Sequence, residues 1–113
     1  MPTIFQVEVY YEDTDFSGAV YHSNYLKFVE RARSRIIGML GIDQLALREK
    51  SETFVVRRLE ARYLKPAYFG DCLEIETNFV KVGGASIELL QKIFKNRECI
   101  FQVDVKLALV SGG

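Results

Sequence analysis

The amino-acid sequence predicts an α+β fold in which one long helix packs against an antiparallel sheet of five strands. Residues 24–40 carry apolar side chains at spacings of three and four, which is typical of a helix with one buried face. Five other segments alternate apolar and polar residues, as strands do when one of their faces is covered. Short connections between the later strands favour antiparallel neighbours, so the predicted order is β-α-β-β-β-β.

Composition limits the class of protein. The length of 113 residues suits one domain, residues 1–113, and 49% hydrophobic residues exclude a disordered chain. The 15 basic and 15 acidic residues cancel, so bulk binding of nucleic acid is not expected. The beginning of the sequence lacks a secretory-signal pattern, and no apolar run is long enough to span a membrane. We therefore expect a cytoplasmic protein in which Cys72 and Cys99 are free thiols.

The first half of the chain contains a strand, a turn and the long helix. The strand is predicted over residues 4–11, and turn-forming residues at 13–18 follow it. Ser23 or Asn24 is expected to cap the helix at its N-terminus, and Gly41 is expected to end it in a left-handed conformation. The predicted buried face of the helix consists of Tyr25, Phe28, Val29, Ala32, Ile36, Ile37 and Leu40.

The second half is predicted to be mostly strand. A short helix over residues 43–50, capped by Asp43, comes first. Four strands are then predicted, over residues 53–65, 71–82, 85–95 and 99–110. On each strand in turn, the residues expected to share one side are Val55, Leu59, Ala61 and Tyr63; Leu73, Ile75, Thr77 and Phe79; Ile87, Leu89 and Ile93; and Phe101, Val103, Val105, Leu107 and Leu109. The short connections KPAYFGD, GG and NR predict antiparallel neighbours, and the exposed sheet edges predict a dimer.

The segment YYEDTDFSGAVYHSNY, residues 10–25, places an acidic cluster directly before the long helix. A helix N-terminus presents unpaired N–H groups and about half a positive charge, which attract a developing oxyanion. A carboxylate beside such donors suits attack on a thioester, because a thiolate leaves without a strong general acid. Gly18 would let the backbone approach a ligand closely. On the residues alone, an acidic turn is the simpler interpretation, and catalysis by Asp15 is the alternative.

Two longer blocks resemble a known family. The segment VYYEDTDFSGAVYHSNYLKFVERAR, residues 9–33, is similar to the signature of the hotdog-fold acyl-CoA thioesterases of the 4-hydroxybenzoyl-CoA thioesterase class. It is most similar to the YbgC-like branch, the thioesterases of the bacterial Tol-Pal gene cluster. FVVRRLEARYLKPAYFGDCLEIET, residues 54–77, resembles the same family. The resemblance implies a hotdog fold, an acyl-CoA thioesterase activity, and homodimers or homotetramers with active sites at a subunit interface.

The resemblance also implies roles for single residues. The second aspartate of Asp-Thr-Asp falls on Asp15 as the catalytic base or nucleophile, and the oxyanion-binding backbone N–H falls on His22. Tyr11 matches a tyrosine associated with activity in the YbgC-like branch. Asp13 is expected to serve in the turn, and an acid–base role for the side chain of His22 stays open.

Substrate contacts are expected near the same loop and on one strand. Candidates near the loop are Phe16, Gly18, Val20 and Tyr25, although Tyr25 also lies on the apolar helix face, which favours packing. Family members often have small residues or proline at Phe16-Ser17, so Phe16 is expected to reshape the acyl pocket. Four cations are candidates for binding the phosphates of CoA. The simpler interpretation is that they lie on a solvated face of the sheet. These cations are Arg57, Arg58, Arg62 and Lys65.

Other classes of protein fit less well. Glu12, Asp15 and His22 lack the spacing of a metal site, and no cofactor is expected. No G-x-S-x-G motif occurs, and the single histidine argues against a hotdog dehydratase. A rival hypothesis is a non-catalytic hotdog dimer that binds acyl carrier protein or an acyl ligand. The sequence ends at LALVSGG, earlier than many relatives, which is expected to shorten a CoA-binding or packing surface. The preferred acyl chain stays open.

Overall fold

A computed structural model describes residues 3–111 as one helical layer on a five-stranded antiparallel sheet. The elements are β1 (Thr3–Glu8), a 3₁₀ turn (Tyr11–Asp13), α1 (Asn24–Met39), α2 (Gln44–Glu49), β2 (Glu52–Tyr63), β3 (Cys72–Val82), β4 (Ser86–Lys95) and β5 (Glu98–Ser111). The strand order is β1-β3-β4-β5-β2. The predicted α+β architecture and element order are confirmed. None of the helices within residues 3–111 has the length and apolar character needed to cross a membrane.

The helix α1 buries the face that its spacing predicts. Six of the predicted residues are buried, and only Leu40, which lies beyond the last helical residue, is half-exposed. Asn24 does not cap the helix with its side chain; it donates instead to the carbonyl of Asp13 at 2.9 Å. Ser23 occupies the cap position without a side-chain hydrogen bond. Gly41 has a φ of +83° and Asp43 accepts from two amides of α2, so these two predictions are confirmed.

The strand β1 is shorter than predicted. It ends at Glu8, and Tyr11–Asp13 form the 3₁₀ turn instead of continuing the strand. The carboxylate of Asp13 stabilises this turn by accepting from the amide of Tyr10 at 2.8 Å. Asp13 therefore has the turn role that the sequence predicts.

The strand β2 contains a β-bulge that the alternation did not reveal. Val56 pairs with Leu107 and Arg58 with Lys106, so Arg57 has no partner opposite it. A bulge adds one residue and moves the preceding side chains to the other face. The prediction that Val55 shares the inner face, the face covered by α1, is wrong. Phe54 takes that place and packs against the core.

The connection between β2 and β3 is a crossover, so the prediction that KPAYFGD joins adjacent strands is wrong. β2 pairs with β5 at one edge of the sheet, whereas β3 lies between β1 and β4. Residues 64–71 can span ~26 Å at ~3.3 Å per residue. Crossing three strand spacings needs only about 14 Å. We call residues 64–71 the crossover segment, and it passes over the end of the sheet where α1 begins.

A polar network lies inside the core between α1 and the sheet. Arg33, 6% exposed, donates to the side-chain oxygen of Gln91 at 3.0 Å. The amide nitrogen of Gln91 donates to the carbonyl of Val29 and to the hydroxyl of Thr77. Burial lowers the pKa of Arg33, which reflects the cost of removing its charge from water. Gln91 thus connects two helix residues and one β3 residue to β4.

The replacement Gln91→Leu should destabilise the protein by about 2–4 kcal/mol, because it leaves Arg33 and Thr77 buried without their partner. Denaturant unfolding followed by circular dichroism measures this change. The control Gln102→Leu alters a glutamine on the outer face of β5 and should change stability by less than about 0.5 kcal/mol. Equal stability of the Gln91→Leu variant and the unaltered protein would contradict a stabilising network.

Candidate active site

The loop before α1 is a tight turn closed by backbone hydrogen bonds. Thr14 and Val20 form an antiparallel bridge. Inside it, the amide of Asp15 donates to Ala19 at 2.9 Å and the amide of Gly18 donates to Asp15 at 3.0 Å. Gly18 has a φ of +88°, a backbone conformation that residues other than glycine rarely adopt. The glycine is therefore required by the turn itself, and this turn presents Asp15 at the surface.

The carboxylate of Asp15 is held by one oxygen and leaves the other one available. Its Oδ1 accepts from the amide of Ser17 at 2.8 Å and from the hydroxyl of Ser17 at 2.5 Å. Within residues 3–111 its Oδ2 has no hydrogen-bond partner. The pKa of the Asp15 carboxyl lies below its ordinary value, because the hydroxyl and then the amide of Ser17 stabilise the charged form. A smaller lowering of this pKa comes from the electrostatic interaction of the carboxyl with the nearby His22.

The backbone between this loop and α1 offers unpaired donors. The amide of Val20 donates to Ala67, that of Tyr21 to Asp13 and that of Asn24 to Tyr21, at 2.8–2.9 Å. The amides of His22 and Ser23 have no acceptor in the part of the chain that the structure describes. They lie at the positive end of the α1 dipole, where an anion is stabilised. The arrangement provides a carboxylate and free N–H groups within one short segment.

Two tyrosine hydroxyls connect the start of α1 to neighbouring segments. The hydroxyl of Tyr25 accepts from the buried amide of Ala67 at 2.9 Å, and Ala67 also accepts from Val20. The hydroxyl of Tyr63, the last residue of β2, donates to the carbonyl of His22 at 2.9 Å. These contacts hold the crossover segment and β2 against the loop that carries Asp15.

The other residues predicted near the loop differ in their accessibility. Tyr11 is exposed, and its ring lies edge-on to Phe69 at 6.3 Å. Phe16 is fully exposed at the tip of the turn. Val20 and Tyr25 are buried in the core, where Tyr25 stacks on an aromatic ring of β5. Phe16 and Tyr11 are thus accessible to a ligand in a single chain, whereas Val20 and Tyr25 anchor the loop by packing into the core.

The four predicted phosphate-binding cations lie on or just beyond β2. Arg58 and Arg62 alternate with the inner-face residues of this strand, so they project from the outer face of the sheet. Arg58 pairs with Glu60 at 3.8 Å, and Lys65 forms an ion pair with a glutamate of β5. Neither Arg57 nor Arg62 has an ion pair within residues 3–111. Binding of CoA phosphates by this group stays a prediction.

The sequence does not predict two contacts of the candidate site. In the sequence Ser17 stands out only as a departure from the family pattern, whereas in the structure its hydroxyl donates to the carboxylate of Asp15. The Asp-x-Ser spacing is the available signal, since aspartate side chains often accept from the amide two residues on. No sequence pattern predicts the hydrogen bond of the Tyr63 hydroxyl, because its partner His22 is 41 residues away in sequence. Among residues 3–111, no group of His, Cys, Asp and Glu side chains is arranged to hold a metal ion.

Comparison with known proteins identifies the family. The family model described as the thioesterase superfamily matches residues 17–98. The chain is 41% identical to the acyl-CoA thioesterase YbgC of Haemophilus influenzae over 96% of this chain and 81% of that protein. It is 42% identical to the acyl-CoA thioester hydrolase YbgC of Escherichia coli O6:H1 over 77% of this chain and 65% of that protein.

A solved structure agrees with these sequence relationships. The crystal structure of a "Probable Thioesterase" from Bartonella henselae superposes with a TM-score of 0.90 at 34% identity, covering 98% of this chain and 93% of that one. The predicted hotdog fold is thereby confirmed. Because the family model matches most of the chain and two YbgC proteins are 41% and 42% identical to it, this chain belongs to the thioesterase superfamily as a YbgC-like thioester hydrolase.

Proposed function

We propose that the protein hydrolyses acyl-CoA, consuming one water and releasing a carboxylic acid and free CoA. Asp15 removes a proton from the attacking water, or attacks the carbonyl carbon itself and forms an anhydride that water then opens. The amide of His22 donates to the carbonyl oxygen as it gains negative charge. The thiolate of CoA then leaves and takes up a proton from solvent.

The observation that carries this proposal is that one short segment contains both an ionised carboxylate and backbone N–H groups without an acceptor in the described residues. Asp15 is exposed, has a lowered pKa and keeps Oδ2 unoccupied within the described residues. The amide of His22, which has no acceptor within residues 3–111, comes just after the tight turn that carries Asp15 and lies at the positive end of α1. A thioester needs little more than these two groups, since its leaving group is already a weak base.

The replacement Asp15→Asn should reduce kcat by about 10²-fold or more, because asparagine keeps the shape but neither accepts a proton nor attacks a carbonyl. Thiol release from a panel of acyl-CoA substrates, read with a thiol reagent, measures this loss. Asp13→Asn is the matched control: it keeps an oxygen acceptor for the amide of Tyr10, so activity should stay within about twofold. Undiminished hydrolysis by the Asp15→Asn variant would rule out this mechanism.

The rival function, a binding protein without catalysis, gives a different result in the same panel. An acyl-binding dimer would bind acyl-CoA or acyl carrier thioesters but release no thiol from any of them. Isothermal titration with the same thioesters detects such binding. Turnover of at least one substrate that depends on Asp15 excludes the rival.

The replacement Ser17→Ala should shift the acidic side of the pH–rate profile to higher pH. Catalysis requires ionised Asp15, and the hydroxyl of Ser17 holds the pKa of this carboxyl below its ordinary value. Without that hydroxyl the pKa rises, so protonation abolishes activity at a higher pH than in the unaltered protein. NMR titration of the Asp15 carboxyl carbon measures the pKa directly. The control is Ser86→Ala, at the start of β4, which should leave the pH–rate profile unchanged. If the pKa of the Asp15 carboxyl does not move in Ser17→Ala, the role given to the Ser17 hydroxyl is contradicted.

The cations of β2 provide a test of CoA recognition. If Arg57 and Arg62 bind the phosphates of CoA, the double replacement with alanine should raise KM for acyl-CoA by about tenfold, and added salt should reduce the difference. The KM for acyl-pantetheine thioesters, which lack the nucleotide, should not change. A similar increase for both substrates would show that the arginines act on something other than the phosphates.

The assembly of the chains and the cellular location of the protein are also part of the proposed function. A homodimer formed along the edge strand β2, or a tetramer made of two such dimers, would bring a second chain close to α1 and Tyr63. Cytoplasmic location, a link to the Tol-Pal system and use of acyl carrier protein stay predictions from the sequence.

A further inference from the structure

The hydroxyl of Tyr63 lies at the junction between the edge strand and the proposed oxyanion site. Tyr63 ends β2, and its hydroxyl donates to the carbonyl of His22 at 2.9 Å. The carbonyl of His22 belongs to the peptide group that leads into α1. Ser23, whose amide is the other end of that peptide group, follows directly. This is a direct hydrogen bond from the sheet edge to the backbone at the proposed oxyanion site.

Aromatic packing fixes the direction of this hydroxyl. The ring of Tyr63 meets Tyr25 at 5.7 Å and Phe101 at 5.0 Å, both edge-on. It also lies edge-on to the ring of His22 at 6.5 Å. Partial burial raises the pKa of Tyr63, which is 48% exposed, so the hydroxyl keeps its proton and remains a donor near neutral pH. The tyrosine is a rigid support, because its ring contacts both the core and the loop.

Fixing one carbonyl constrains the adjacent amides. A peptide group is planar, so holding the carbonyl of His22 also sets the direction of the Ser23 amide. The preceding peptide group is held in the same way, since the carbonyl of Tyr21 accepts from the amide of Asn24 at 2.8 Å. Two consecutive peptide groups are therefore fixed by their carbonyls. The N–H groups of His22 and Ser23 have no acceptor within residues 3–111.

We propose that Tyr63 is a positioning residue, which orients the peptide group between His22 and Ser23 so that the amide of Ser23 donates to the oxyanion together with the amide of His22. This inference rests on the proposed function and adds to it a second backbone donor and the side chain that aims it. Tyr63 does not touch the reacting atoms. Its effect comes from preorganisation, because donors that already point at the developing charge need no rearrangement during the reaction.

A positioning role predicts a particular kinetic pattern. The carbonyl oxygen gains charge in every thioester hydrolysis, whatever acyl chain is attached. Loss of the Tyr63 hydroxyl should therefore reduce kcat by the same factor for all acyl-CoA substrates. KM should change little, because the ground-state carbonyl bears little charge and needs the donors less.

The replacement Tyr63→Phe tests this role, since it keeps the ring and removes only the hydroxyl. We expect kcat to fall about tenfold across a panel of short, long and aromatic acyl-CoA substrates, with KM within about twofold of the original. The matched control is Tyr68→Phe in the crossover segment, whose hydroxyl has no hydrogen bond in the described residues. Its kcat should not change.

Two outcomes would overturn the proposal. One is an unchanged kcat in Tyr63→Phe while Asp15→Asn remains inactive, which would remove this inference and leave the proposed function intact. The other is a loss that falls on KM or varies with the acyl chain, which would indicate substrate binding instead. Full activity of Asp15→Asn would instead overturn the proposed function itself.

A measurement without substrate covers the possibility that Tyr63→Phe is poorly folded. The backbone carbonyl carbon of His22 reports its hydrogen bond through its NMR chemical shift, and the amides of His22 and Ser23 report their orientation. We expect these three signals to move in Tyr63→Phe while signals from β4 stay in place. Unmoved signals at His22 and Ser23 would overturn the positioning role, and general loss of signal dispersion would assign Tyr63 a purely structural role.

Discussion

The burial of one face of α1 against the inner face of the sheet is the constraint on which the rest of the structure depends. Phe28 and Val29 of the helix are completely buried, as are Ile75 and Ile93 of the sheet. Neither surface can leave water without the other, so packing sets the helix direction and the position of its N-terminus. The loop before α1 must therefore end where the crossover segment passes. The proposed chemistry is located at this point.

Polar contacts add precision to this apolar packing. Gln91 projects from β4 into the core and bonds to the helix carbonyl of Val29 and to Thr77 of β3. Hydrophobic contact alone permits small sliding movements of a helix on a sheet, whereas a hydrogen bond has a preferred distance and direction. The charge of Arg33 makes the cost of losing this alignment higher. A fixed helix position matters for the site, because free amides at its start are useful only if they point in a constant direction.

The proposed active site relies on the backbone more than on side chains. Asp15 supplies the charged group, but its geometry comes from a turn that Gly18 makes possible and Ser17 completes. The donors are amides, whose positions depend on carbonyls held elsewhere, one of them by Tyr63. This arrangement also places the proposed reaction at an exposed edge, beside β2, which has no neighbouring strand on one side within residues 3–111.

The sequence by itself determined the elements, their order and the candidate residue Asp15. Hydrophobic periodicity and turn-forming residues are local properties of a sequence, so they predict the helix over residues 24–40 and the alternating strands. The resemblance of residues 9–33 to the family signature identifies the loop that carries Asp15. Tertiary structure decided what depends on distant contacts: the pairing of β2 with β5, the bulge at Arg57, and the burial of Arg33 beside Gln91. Arg33 could have been suspected, since it lies four residues after Val29 on the buried face. The bond from Tyr63 to His22 could not, because only folding brings the end of a strand to a peptide group 41 residues away.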